Sequence, residues 1–202
     1  MVNIAVLVSG GGTNLQALID ACNDKKINGE IKLVVSNRKS AYGLTRASNA
    51  NIKNEFIKDE NILIERLKEE KIDLIVLAGY LAIISEKLIS QFNNRIINIH
   101  PSLIPSFCGS GCYGIHVHEK AFARGVKISG ATVHFVSEIV DGGPIILQRA
   151  IDVSNCNSPE EMQKLILEKI EHELIVEAVK LYCDNKLKVI DERVIINEKS
   201  IS

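Results

Sequence analysis

Residues 96–105, IINIHPSLIP, place two side chains able to assist a reaction at the end of a predicted buried strand. Asn98 and His100 are two positions apart, so in a strand they project from the same face. An asparagine amide can donate a hydrogen bond to a developing oxyanion, and a histidine can carry a proton near neutral pH. Pro101 ends the strand. The spacing therefore predicts a catalytic pair at the carboxyl end of a strand, where open α/β sheets bind ligands.

A third ionisable group, Asp141, opens the segment DGGPIILQ, in which two glycines and a proline predict a sharp turn before a strand. A carboxylate close to His100 would stabilise the protonated imidazole. The set of Asn98, His100 and Asp141 contains no nucleophile, and the GxSxG signature does not occur in the chain. The set suits direct attack of a substrate amine on an acyl carbon. The alternative is that the three side chains only satisfy hydrogen bonds of a loop and a turn.

Three glycines at residues 10–12 lie between a predicted strand and a helix that Thr13 and Gln16 would start as a capping box. Glycines let a ligand approach the backbone, and the free N–H groups of a helix start attract anions, so this loop predicts a phosphate site. A dinucleotide site fits less well, because Leu15 stands where the third fingerprint glycine belongs. Arg38, after the second strand, keeps an NADP site open as an alternative, as does a tight turn that binds nothing.

Strand and helix patterns alternate along the first hundred residues. This order predicts a doubly wound, mostly parallel α/β sheet with helices on both faces, which is a Rossmann-like fold. After Pro101 two strand candidates follow each other directly, at residues 127–137 and 143–153, and they predict antiparallel additions in the C-terminal half. A long helix is predicted from Ser158 to about Cys183.

Composition excludes several classes of partner. With 24 basic and 25 acidic residues the formal net charge is −1, so we expect no nucleic-acid partner. No apolar run reaches the ~18 residues that cross a bilayer, so we expect no membrane partner. Five scattered cysteines without an export signal predict a cytoplasmic protein with reduced thiols.

Four potential zinc ligands, Cys108, Cys112, His116 and His118, fall within eleven residues. Their C-x3-C-x3-H-x-H spacing is not a usual zinc spacing, so we expect no metal. A glycine-rich loop with two unpaired thiols is the simpler interpretation, and a redox pair of Cys108 and Cys112 is the alternative.

Three stretches, VLVSGGGTNLQALIDA, INIHPSLIPSF and GATVHFVSEIVDGGPIILQ, together resemble the glycinamide ribonucleotide formyltransferases of purine biosynthesis. The resemblance runs from residue 1 to about residue 183, and much of it is shared with formyltetrahydrofolate deformylase and methionyl-tRNA formyltransferase. It implies transfer of a formyl group from 10-formyltetrahydrofolate, as co-substrate, to the amine of glycinamide ribonucleotide. Asn98, His100 and Asp141 match the catalytic set. The implied partners are small molecules, and we expect a monomer or a homodimer.

The resemblance also implies binding residues. Gly12, Thr13 and Asn14 match the loop that holds the ribonucleotide phosphate. Glu171 matches a carboxylate that contacts the glycinamide substrate, although a helix glutamate faces solvent by default. Residues 1–202 would form one formyltransferase domain, with a phosphate-binding half to residue 100 and a folate half after it. The implied folate pocket is lined by Tyr80, Leu81, Ala82, Ile83, Ile84, Asn98, Ser137, Glu138, Ile139, Val140 and Asp141.

Two positions depart from the family pattern. Glu60 stands in a helix where relatives often carry an arginine for the folate, and Arg66 follows a turn and a half later. Ala82 replaces an arginine of some relatives. Because the glutamate tail of a folate is acidic, we expect another cation to meet it.

Overall fold

Seven strands form the main sheet in the computed structural model, which describes residues 1–197. Their order across the sheet is 3-2-1-4-5-6-7; the first five strands are parallel, and the sixth pairs antiparallel with both of its neighbours. The predicted mostly parallel sheet with antiparallel additions is therefore confirmed. In chain order the strands are β1 (Val2–Val8), β2 (Gly29–Ser36), β3 (Asn54–Phe56), β4 (Leu74–Leu77), β5 (Ile96–His100), β6 (Ile128–Phe135) and β7 (Ile145–Asp152).

Seven α-helices are found in the described chain, and the last two are joined by a π-helical turn, Leu167–Glu171. The predicted long helix is thus confirmed, and the Ser158 hydroxyl caps it by accepting from Glu161 N–H at 3.2 Å. Within residues 1–197 no helix combines the length and apolarity needed to cross a membrane. The helices are α1 (Thr13–Asn23), α2 (Tyr42–Asn49), α3 (Glu60–Glu69), α4 (Glu86–Gln91), α5 (Ile115–Arg124), α6 (Pro159–Ile166) and α7 (His172–Cys183).

Helices cover both faces of the sheet, so successive strand residues are buried on opposite sides. One core cluster joins Val6 and Ile97 to α1, α6 and α7. The other joins Leu7 and Ile96 to α3 and α4. Ile97 and Ile99 of β5 belong to the first cluster, so Asn98 and His100 point to the α3–α4 face.

The order of the strands reverses beside β1, because β2 and β3 lie on one side of it and β4 and β5 on the other. Parallel strands at such a switch point leave a crevice outside their carboxyl ends. The glycine loop follows β1, residues 78–85 follow β4, and His100 ends β5. The fold therefore brings three of the predicted functional segments to one edge of the sheet.

The start of α1 differs from the predicted capping box. Gly12 is the N-cap in a left-handed conformation (φ 70°), Thr13 is the first helical residue, and no side chain described here caps the helix. A Cβ on Gly12 would lie 2.8 Å from the Cα of Gly43, so the close approach to α2 also requires glycine. The first N–H groups of α1 thus remain open to an anion. Helix α2 begins at Tyr42, with Ala41 as its N-cap.

A small hairpin of β8 (Leu187–Ile190) and β9 (Arg193–Ile196) follows α7. Asp191 and Glu192 form its turn with positive φ angles of 48° and 61°, as a type I′ hairpin turn requires. Residues 198–202, the end of the predicted domain, lie outside the described residues.

Candidate active site

Asp141 and His100 meet at the carboxyl end of β5. The Oδ2 atom of Asp141 lies 3.6 Å from His100 Nδ1, and both side chains are at most 10% exposed. Asp141 occupies the turn between β6 and β7 with φ 56°, and the backbone N–H of Gly109 donates to its Oδ2 at 2.9 Å. A strained turn and a loop contact therefore hold the carboxylate against the imidazole.

The two ring nitrogens of His100 have different surroundings. Nε2 lies 2.9 Å from the carbonyl oxygen of Phe107. Because a carbonyl only accepts, Nε2 carries a hydrogen, and the ring gains or loses its other proton at Nδ1, which faces Asp141. A separation of 3.6 Å is longer than a hydrogen bond, so the contact with Asp141 is electrostatic. In enzymes, histidine–carboxylate contacts often tighten only when a substrate is bound.

Asn98 is held by His134, which lies opposite it across β5 and β6. The Asn98 amide nitrogen lies 3.2 Å from His134 Nε2, and His134 Nδ1 lies 2.8 Å from the Phe135 carbonyl oxygen. Nδ1 therefore carries the ring hydrogen, and Nε2 accepts from the amide. Burial lowers the pKa of His134, which keeps the ring neutral. The amide is thus oriented with its second N–H left for an oxygen in the crevice.

A buried polar pair, Asn14 and Glu171, lies under the glycine loop. The Asn14 amide donates to Glu171 Oε2 at 2.8 Å, and each residue is 7% exposed. Glu171 ends the π-helical turn, and the default expectation that it faces solvent is wrong. Burial raises the pKa of Glu171 to about 7, against the opposing effect of the Asn14 hydrogen bond. Asn14 Oδ1 is buried without a partner in the described chain.

We expect Glu171→Gln to stabilise the protein at pH 8 much more than at pH 5. The folded-state pKa, about 7, lies above the ordinary 4.5, so the stability linked to this proton is full below pH 4.5 and is lost as pH rises through 7. A neutral glutamine avoids that loss, worth about 2 kcal/mol between pH 5 and pH 8. Urea unfolding of the original protein and of the variant across this pH range measures the free energy of unfolding at each pH. Parallel pH dependences would contradict a buried, proton-binding Glu171.

Two loops with exposed apolar side chains lie beside the group of Asn98, His100 and Asp141. The loop after β4 exposes Leu81 and Ile83, and the loop between β6 and β7 exposes Ile139 and Val140. The Gly142 N–H donates to the Ile139 carbonyl at 2.9 Å and closes the second loop into a turn. Apolar surfaces on two sides of a polar crevice suit a planar aromatic ligand.

The other residues of the predicted folate pocket lie in the same two loops. Tyr80 and Ile84 pack against the α3–α4 core, and burial raises the pKa of Tyr80. Ala82 is half-buried, and Glu138 is exposed. The Ser137 hydroxyl donates to the Ile139 carbonyl at 3.2 Å and so steadies the loop.

Neither Glu60 nor Arg66 offers a cation to the crevice. The Glu60 carboxylate accepts from the Ser85 N–H at 3.0 Å and from its hydroxyl, so it holds the N-cap residue of α4. Arg66 pairs with Glu55 at 3.0 Å and with Glu69. The cation expected at the folate tail therefore has to come from elsewhere.

The four potential zinc ligands lie in separate environments. His116 is exposed and pairs with Glu119 at 2.7 Å. His118 is buried beside His100; burial, and then the charge of His100, lower its pKa to about 4. Cys112 contacts Lys120. No group of three or more His, Cys, Asp or Glu side chains converges on a metal-sized site in residues 1–197.

The sheet, with its crevice at the switch point and its amide, imidazole and carboxylate, has the architecture of α/β formyltransferases. A family model described as formyl transferase matches residues 2–179, and the chain belongs to this family. The resemblance to glycinamide ribonucleotide formyltransferases noted in the sequence is confirmed by relatives of that name along nearly the whole chain.

Three proteins illustrate the likeness. The chain is 37% identical to a phosphoribosylglycinamide formyltransferase of Haemophilus influenzae, covering 100% of this chain and 96% of that protein. It is 38% identical to a chloroplastic one of Arabidopsis thaliana, covering 92% of this chain and 66% of that protein. The solved structure of glycinamide ribonucleotide transformylase 1 from Symbiobacterium toebii superposes with a TM-score of 0.90 and 40% identity, over 97% of this chain and 94% of that one.

The fold is also shared with an enzyme named for a hydrolysis. A formyltetrahydrofolate deformylase structure from Pseudomonas syringae superposes with a TM-score of 0.88 at 25% identity, over 96% of this chain and 65% of that one. Fold alone therefore does not separate transfer of a formyl group from its release to water.

Proposed function

We propose that this enzyme transfers a formyl group from 10-formyltetrahydrofolate to the amine of glycinamide ribonucleotide, a step of purine biosynthesis. The observation that carries the proposal is the meeting of His100 and Asp141 beside an oriented Asn98, with no nucleophile in the set. The names of full-length relatives support the acceptor. The apolar loops around Ile83 and Ile139 fit the planar donor.

In this mechanism the amine nitrogen attacks the formyl carbon directly. The free N–H of Asn98 and the protonated Nδ1 of His100 donate to the oxyanion that forms, which stabilises it relative to the trigonal formyl group. Asp141 stabilises the imidazolium and takes up the amine proton, directly or through a water molecule. As the tetrahedral centre collapses, Nδ1 of His100 gives its proton to the departing folate nitrogen, and the proton held by Asp141 restores the imidazolium. No residue of the enzyme forms a covalent bond to the formyl group.

The ribonucleotide would lie with its phosphate at the start of α1 and its glycinamide arm toward Glu171. Gly12, Thr13 and Asn14 supply backbone N–H groups, and the helix dipole favours an anion there. A cationic amine near Glu171 would favour the ionised carboxylate over the protonated form that burial promotes. Small-molecule substrates, a cytoplasmic location and a monomeric or homodimeric state remain predictions of the same proposal.

The proposal is tested by a spectroscopic folate assay in which the ribonucleotide is added last. We expect no change in donor absorbance before the addition and a rapid change after it, with formylated ribonucleotide identified by mass spectrometry. Donor consumption that never depends on the ribonucleotide would overturn the proposed acceptor.

Hydrolysis of the same donor is the second candidate, because a deformylase shares the fold. Water would then take the place of the amine at the same catalytic set. The assay separates the two functions: formate released at an unchanged rate with and without the ribonucleotide would support hydrolysis.

His134 is expected to act as a positioning residue for Asn98. His134→Leu removes the acceptor that orients the amide, and we expect kcat to fall about tenfold with little change in KM, since a whole oxyanion donor is worth a hundredfold or more. His134→Gln restores an acceptor oxygen and serves as the matched control. Steady-state kinetics and melting temperatures of both variants measure the effect. Equal kcat for the leucine and glutamine variants would contradict this role.

A further inference from the structure

The loop before α5 carries two thiols on either side of a tight turn. The Cys112 N–H donates to the Gly109 carbonyl at 3.0 Å, so the Cα atoms of Gly109 and Cys112 lie within about 7 Å of each other. Cys108 is the residue directly before this turn. A disulfide joins Cα atoms about 4.4–6.8 Å apart. Gly109 and Gly111 have φ angles of 82° and 76°, a region that glycine leaves readily. Rotation at these glycines can therefore bring the two sulfurs together.

Cys112 has the surroundings of a reactive thiol. The ammonium of Lys120 lies 3.1 Å from its Sγ and also donates to the Gly111 carbonyl at 3.0 Å. A neighbouring cation stabilises the thiolate, which is the nucleophilic form of cysteine. Cys112 is half-buried, and the adjoining Gly111 and Tyr113 are exposed, so small reagents can approach it from solvent.

Cys108 has the opposite surroundings. Its Sγ–H donates to the Pro105 carbonyl at 3.3 Å. Burial, and then the charges of Asp141 and Cys112, raise the pKa of this thiol. The two thiols thus differ in their contacts: Cys112 faces an ammonium, whereas Cys108 faces a carbonyl oxygen. In redox-sensing pairs an accessible cysteine often lies next to a resolving one.

Within residues 1–197 no lysine or arginine donates a hydrogen bond to the three other cysteines, although the charge of the N-terminal ammonium acts on Cys183. Burial raises the pKa of Cys22 to about 11 and that of Cys183 to about 12. Burial, and then the charges of Glu161 and Asp152, raise the pKa of Cys156. Reaction with a thiol reagent at neutral pH is therefore expected first at Cys112.

We propose that Cys112 and Cys108 form a redox-active dithiol that low-molecular-weight disulfides oxidise, and that the resulting bridge stops catalysis by displacing the loop from Asp141. The Cys112 thiolate attacks one sulfur of R–S–S–R, forms a mixed disulfide and expels R–S⁻. Cys108 then attacks the Cys112 sulfur, and the second R–S⁻ leaves with the Cys108 proton. Two electrons pass to the reagent, which ends as two R–SH molecules.

The link to catalysis is Gly109, which lies between the two cysteines. Its N–H is the donor to Asp141 Oδ2 at 2.9 Å. Closing the bridge turns this peptide group, because Cys108 has to leave the Pro105 carbonyl and Cys112 has to leave Lys120. The carboxylate then loses the contact that holds it beside His100. This effect on turnover rests on the proposed function, whereas the thiol chemistry does not.

The test treats the reduced full-length protein with glutathione disulfide at pH 7. Intact-mass and peptide analysis should show loss of two hydrogens and a link between Cys108 and Cys112, with formyl transfer reduced at least tenfold and restored by dithiothreitol. Cys108→Ser should stop at a mixed disulfide on Cys112. Cys112→Ser should be as active as the original protein in its reduced form, and glutathione disulfide should not lower that activity. Lys120→Gln should slow the first reaction about tenfold, while Lys120→Arg should not.

Three results would overturn the inference. The first is preferential reaction at Cys22, Cys156 or Cys183. The second is a Cys108→Ser variant that forms no mixed disulfide on Cys112, and the third is a complete bridge with unchanged turnover. A reduced protein inactive in formyl transfer would count against the proposed function instead, because the mass measurement still reports on the dithiol.

Discussion

Replacing His100 with alanine is expected to lower kcat for formyl transfer about a thousandfold, the middle of the range for loss of a general acid. Nδ1 of His100 faces Asp141, while Nε2 is tied to the Phe107 carbonyl, so Nδ1 is the one ring atom placed to deliver a proton to the crevice. KM for either substrate should change little, because the imidazole acts mainly in the transition state. Steady-state kinetics with both substrates measure the loss.

Folding has to be separated from chemistry in this experiment, since His100 is 4% exposed and its removal leaves a cavity. His100→Gln retains most of the volume and can still donate to Phe107, yet it cannot gain and lose a proton near neutral pH. It should melt close to the original protein and be nearly as slow as the alanine variant. A glutamine variant with near-normal kcat would mean that proton transfer at His100 is not part of the reaction.

The second large effect is expected for Asp141→Asn, which should lower kcat at least a hundredfold. The amide oxygen of asparagine can still accept from the Gly109 N–H, so the turn should be retained. What is lost is the negative charge that stabilises the imidazolium and the site that takes up the amine proton. Single-turnover measurements with both substrates bound should place the loss in the chemical step.

Asp24→Asn is the matched control for Asp141→Asn. Asp24 is an exposed carboxylate at the end of α1, paired at 2.9 Å with Lys26, and exposed pairs of this kind contribute little. The control should keep normal kcat. If Asp141→Asn behaved like Asp24→Asn, the turn carboxylate would have no catalytic role.

The sheet and the positions of Asn98 and His100 at a strand end could be predicted because they follow from local patterns. Alternating apolar runs indicate parallel strands, and residues two apart in a strand share a face, so Asn98 and His100 could be placed together at a strand end. The sequence also suggested Asp141 as their partner, since a glycine-rich turn marked it. The 3.6 Å contact between Asp141 and His100 depends on the pairing of β5 with β6, which no local pattern specifies.

The features that could not be predicted depend on tertiary packing. Glu171 is buried because a π-helical turn rotates it inward against Asn14, and helical periodicity does not anticipate that turn. The capping box at Thr13 was wrong because the approach of Gly43 sets the conformation of Gly12. His134 could be recognised in the sequence only as a packed histidine near the site; its role toward Asn98 required the register between the strands.

The central claim, that His100 and Asp141 act as one unit, is tested most directly by a double-mutant cycle on kcat. The measurement compares His100→Ala, Asp141→Asn and the double variant under identical conditions. Groups that act together are strongly non-additive, so the double variant should be no more than a few-fold slower than His100→Ala alone. Losses that multiply, with the double variant slower by the product of the two single effects, would show that the carboxylate and the imidazole act independently and would contradict the account.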